Sequence, residues 1–168
     1  RKIRSFEFNG SLNNSLYVLK GNYNSCTKVL TTLNKDFFLS IDRIPNYVYD
    51  KIANENAILD YTKQNTMMLK TFFGDLSKES WCYYYQIADY AFQIGQYERV
   101  LQIYHETVKK EIFPDDLAEY HIFLEAARIQ GEKDNFRKIY NIMLRDLKVR
   151  NYLESNSEYS EISVALNS

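Results

Sequence analysis

Trp81-Cys82-Tyr83-Tyr84-Tyr85-Gln86-Ile87-Ala88-Asp89-Tyr90-Ala91-Phe92 leads through Gly95 into Gln96-Tyr97-Glu98-Arg99-Val100-Leu101-Gln102-Ile103-Tyr104 and ends at Ile112-Phe113-Pro114-Asp115. Tyr84, Ile87, Ala88, Ala91 and Phe92 recur at helical spacing, so the first half predicts a helix buried on one face. Gly95 supplies the left-handed conformation of a tight turn between helices. Tyr97, Val100, Leu101, Tyr104 and Val108 predict a second buried stripe, with Lys109 and Lys110 at its negative dipole end. Phe113-Pro114 stops it.

The same pattern returns 36 residues later. Tyr84 answers to Tyr120, Gly95 to Gly131, Val100 to Phe136, Ile103 to Ile139, Tyr104 to Tyr140 and Thr107 to Met143. Asp116 is placed to cap the new helix, and Glu119 stands at capping-box spacing from it. Tyr120, Phe123, Leu124 and Ala127 face inward. Phe136, Ile139, Tyr140, Met143, Leu144 and Leu147 form the following stripe. A helix pair of this size cannot bury its apolar face alone and must stack on neighbours. The expected fold is all-α: a right-handed α-solenoid of helix-turn-helix repeats in one domain, residues 1–168.

Working outward, Gly21, Tyr23, Cys26, Val29, Leu30 and Leu33 reproduce the phase 74 residues upstream of Gly95. This gives degenerate units at 11–43 and 44–76, then repeats at 81–116 and 117–151. Residues 152–168, rich in Ser, Asn and Glu, form a tail or the start of a further helix.

Composition narrows the function. The 168 residues are 45% hydrophobic, enough for one cooperative core, and the net charge of −1 argues against a strongly basic nucleic-acid binder. The segment 133–150 nonetheless holds Lys133, Arg137, Lys138, Arg145, Lys148 and Arg150 against Asp134 and Asp146. No run approaches the roughly 18 to 20 apolar residues that span a bilayer. Cys26 and Cys82, 56 apart and without a CxxC, read as two free packed thiols in a reducing compartment. His105 and His121 stand at no ligand spacing, so no metal, cofactor or small-molecule substrate is expected. No Gly-rich phosphate loop or nucleophile–base pair is present, which argues against an enzyme. The chain opens without Met and without a secretory signal, and it reads as a domain cut from a longer protein.

The unit 81–116 resembles a pentatricopeptide repeat, with its early Tyr84, Gly95 turn, Ile103-Tyr104 pair and Ile112-Phe113-Pro114-Asp115 ending. The next unit shares Tyr120, Gly131, Ile139-Tyr140 and Met143 but lacks the Pro-Asp ending. The Asn-, Tyr- and Lys-rich composition is similar to that of fungal mitochondrial members. The resemblance implies single-stranded RNA binding in the mitochondrial matrix, acting in transcript stability, processing or translation activation, with proteins of a translation or ribosome-associated complex as further partners. Unstacked bases expose edges that a row of equivalent helices can read. Carried over, the base-edge positions are Tyr85 and Asp115 in one unit and His121 and Asn151 in the next, with Cys82 and Ala118 as wedges. Tyr and His replace the family's usual Asn, Ser or Thr, which favours stacking over a strict base code. Arg137, Arg145 and Lys148 would meet phosphate.

Each assignment has a plainer counterpart. Asp115 and Asp116 can serve as helix-start residues, His121 as a partly packed histidine, Tyr85 as core, and the cations as a solvated face. The alternative function is a protein-binding helical-repeat scaffold in a mitochondrial or cytosolic assembly. A positive groove would favour RNA; an apolar or acidic one would favour protein.

Overall fold

A computed structural model describes residues 18–20, 25–30, 34–42 and 80–159. They are predominantly helical: α1 Lys35–Asp42, α2 Trp81–Gln93, α3 Tyr97–Lys109, α4 His121–Gln130, α5 Lys133–Met143 and α6 Leu147–Ser155, with a 3-10 turn at Leu117–Tyr120 ahead of α4. The exception to the all-α expectation is an antiparallel ladder of β1 (Val18–Lys20) on β2 (Thr27–Val29). The phase that suggested a degenerate helix pair at 11–43 is therefore corrected. Thr27–Val29 is extended, and the helix comes later, at α1. The unit expected at 44–76 lies outside the described residues.

The two glycine turns share one geometry. Gly95 (φ 76°) and Gly131 (φ 70°) are left-handed. Gln96 N–H bonds Ala91 C=O at 2.8 Å and Gly95 N–H bonds Phe92 C=O at 3.0 Å. Glu132 and Gly131 repeat this with Ala127 and Arg128. These Schellman closures satisfy the last helix carbonyls and turn the chain back on itself. A Cβ at either glycine would meet nothing within 4 Å, so backbone angle rather than space selects glycine there. The end of α3 makes the same closure, Ile112 N–H to Thr107 C=O at 2.9 Å, but with Glu111 at φ 56°.

Each first helix begins at a side-chain cap. Ser80 Oγ accepts from Tyr83 N–H, Asp116 from Ala118 N–H, and Asp146 from both Lys148 and Val149 N–H. The caps at Ser80 and Asp116 stand 36 residues apart, but Asp146 follows after 30. The cap at Asp146 thus comes six residues sooner than a 36-residue period from Asp116 would place it. Leu147, assigned to the α5 stripe, opens α6 and is 67% exposed.

Consecutive helices pack on one another: α2 on α3, α3 on α4 and α4 on α5. Tyr84, Ala88, Ala91 and Phe92 are buried as their spacing predicts, as are Phe123, Leu124, Ala127, Phe136, Ile139 and Met143. Val108 is exposed instead, and Ile103 and Thr107 fill that side of α3. Between the units sits an aromatic cluster in which Trp81 lies 5.3 Å from Tyr120 and 5.7 Å from Phe123, with Tyr104 5.9 Å from Phe123. Such rings combine large apolar area with preferred edge and tilted contacts.

Candidate ligand face of the first helices

The predicted base-contact positions lie in the first turns of α2 and α4, in the segment leading into α4 and in the middle of α6, and most of them are not available to a base. Tyr85 is 0% exposed, and Ala118 and His121 are buried. Cys82 is bonded through Sγ to Cys26, which corrects the expectation of two free thiols. Asp115 and Asn151 are exposed. Asn151 lies inside α6. Arg137, Arg145 and Lys148 are exposed on α5, on the turn after it and on α6.

What meets this face is the protein's own N-terminal segment. Cys26 N–H donates to Glu119 Oε1 at 2.6 Å, and Gln86 Nε2 donates to the Thr27 carbonyl at 2.5 Å. Lys28, 2% exposed, places its ammonium 2.5 Å from Asp116 Oδ2 and 3.4 Å from Glu119 Oε1. The Trp81 indole N–H donates to Glu119 Oε2 at 2.7 Å. Glu119 thus does not close the capping box its spacing suggested. A side chain that would have reached back to its own helix start is drawn off by three tertiary donors, Cys26, Lys28 and Trp81.

Farther along, α1 rests on α6 and the start of α4. Phe37 stacks on the His121 ring, centroids 3.8 Å apart and nearly parallel, and meets Tyr152 edge-on at 5.0 Å. His121 Nε2 pairs with the Tyr159 hydroxyl at 3.1 Å. Of the two readings of His121, base contact or packed histidine, the structure favours the packed ring.

The electrostatics follow from burial. Desolvation pushes the Glu119 carboxyl up to about 7, against the pull of Lys28 and of the Cys26 and Trp81 donors. Burial holds the His121 imidazole down at about 4, so the ring is neutral at pH 7. Asp89, fully buried on α2 and bonded through Oδ2 to Gln93 Nε2 at 3.0 Å, is pushed up to about 7 by desolvation. Glu125 goes the other way. Against the upward push of burial, Arg128 holds its carboxyl below the ordinary range, with bonds of 2.9 to 3.2 Å. The face thus sets Asp116 and Glu119 against Lys28, and Glu125 against Arg128, among aromatic rings.

Sequence reasoning missed Trp81, Gln86, Glu119 and Lys28. Lys28 carried no local signal, since its partners lie 88 and 91 residues away. Among the described residues no group of three or more His, Cys, Asp or Glu side chains could hold a metal ion. No helix among them is long and apolar enough to cross a membrane. No protein-family model, curated protein or solved structure matches the chain.

Proposed function

We propose that the helix pairs are stacked units of a right-handed α-solenoid and that the chain is a protein-binding helical-repeat scaffold, holding extended polypeptide along its first-helix face. One observation carries this reading: the segment 25–30 lies on that face with a backbone N–H and a backbone C=O each bonded by a helix side chain and a lysine in an acid pair. Main-chain bonds supply affinity and a side-chain pocket supplies selectivity, which is how domains hold extended peptides. Tyr85 and His121, the rings that were to stack on bases, are taken up in packing, which disfavours RNA on this face.

A second reading has its own support. Arg137, Arg145, Lys148 and Asn151 are exposed, and they would let single-stranded RNA of an organellar transcript bind outside this face. Fluorescence anisotropy with mixed single-stranded RNA over a salt series separates the two. The scaffold reading expects no binding that weakens with salt. Affinity that falls steeply with salt and is lost in the triple variant R137A/R145A/K148A would overturn it in favour of RNA.

A further inference from the structure

Resting on the reading that this face holds polypeptide, we propose that the notch formed by Trp81, Gln86, Asp116 and Glu119 is a lysine-reading peptide site. Residues 25–30 are its resident occupant, and reducing the Cys26–Cys82 bridge lets an extended peptide supplied in trans take their place.

The contacts divide into general and selective ones. Glu119 takes the Cys26 N–H and Gln86 takes the Thr27 C=O, groups that any extended peptide carries. Selectivity rests on Lys28, whose ammonium is shared between Asp116 and Glu119. An occupant without a cation would leave the buried Glu119 and the partly exposed Asp116 without the charge they share, so the site favours an occupant that supplies one. The Lys28 ammonium also lies over the Phe38 ring, 5.4 Å from its centroid, a cation–π contact that again favours a cation here.

The bridge decides whether the occupant can leave. While the Sγ–Sγ bond stands, residues 25–30 are tied to α2 across 56 residues of sequence. A dithiol reductant breaks that bond by passing two electrons and two protons to the cysteines. Two thiols remain, and the reductant becomes its own disulfide. In the chain-entropy picture, removing a cross-link of this span releases the closed state by roughly a thousandfold. The tethered strand then competes only at its effective concentration, on the order of millimolar.

Trp81 is the single tryptophan, and its indole lies in the notch, so its emission reports occupancy. The full chain is titrated, oxidised and then reduced with dithiothreitol, with a labelled peptide of the 25–30 sequence carrying Ser in place of Cys. Anisotropy, Trp81 emission, amide exchange and far-ultraviolet helicity are followed. The expected result is no binding to the oxidised protein and saturable binding to the reduced one. A peptide with Ala in place of Lys should bind at least tenfold more weakly, and D116N should erase that preference. If residues 25–30 keep their amide protection after reduction, or the helices melt, the displaceable-occupant proposal falls while the scaffold reading stands. If those residues are freed but no peptide binds, the scaffold reading itself falls. Equal binding of the Lys and Ala peptides overturns lysine reading.

Discussion

The indole N–H of Trp81 donates to Glu119 Oε2 at 2.7 Å, tying the first turn of one helix pair to the first turn of the next. The other oxygen of the same carboxylate accepts the Cys26 N–H and faces Lys28 at 3.4 Å. One buried carboxylate therefore joins three segments of the chain.

Replacing both cysteines by serine should cost about 4 kcal/mol of unfolding free energy, the chain-entropy value for a loop of this span. Urea unfolding of the oxidised wild type against C26S/C82S measures it. A loss below about 1 kcal/mol would show that the bridge constrains little.

The Glu119 carboxyl should write a pH signature. Its folded value of about 7 lies above the ordinary 4.5, so between these the folded state holds a proton that the unfolded state has released. Its contribution is full below pH 4.5 and is lost as pH rises to 7, a change on the order of 3 kcal/mol. Wild type should therefore lead E119Q by most at pH 4.5, and the gap should narrow by that amount at pH 7. A constant gap would mean the carboxyl titrates alike in both states.

His121 acts in the opposite sense. Folding holds its imidazole near 4 against an ordinary 6.5, so the unfolded state takes up the proton first as pH falls. Stability from this group is full above pH 6.5 and declines by about 3 kcal/mol toward pH 4. H121F keeps a ring against Phe37 and removes the titration. Its stability relative to wild type should improve steadily as the solution is acidified through that window, as followed by thermal melts.

Backbone angle makes a paired prediction at two helix ends. G95A forces a Cβ into a left-handed turn and should destabilise by about 1 to 2 kcal/mol. E111G relieves the same conformation at the end of α3 and should stabilise by roughly 0.5 to 1 kcal/mol. Equilibrium unfolding of the two variants should give opposite signs, and equal signs would refute the account.

The helix pairs around Gly95 and Gly131 were legible in the sequence because helical spacing, caps and left-handed turns are local properties. Val108 and Leu147 misled because a stripe fixes a periodicity but not where the helix ends or how it rotates against its neighbour. The candidate face was legible only in part. Spacing left Tyr85 and His121 with two readings each, packed ring or ligand contact, and only the packing of α1 and residues 25–30 against the first turns buries them.

The chain by itself determined that two short amphipathic rods would meet at each glycine and would need neighbours. It did not determine what lies against their first turns. That was decided in three dimensions, where Cys26 meets Cys82 across 56 residues and Lys28 meets Asp116 across 88. Pairings at such separation leave no trace in local spacing, because their favourable energy exists only after the intervening chain has folded to bring them together.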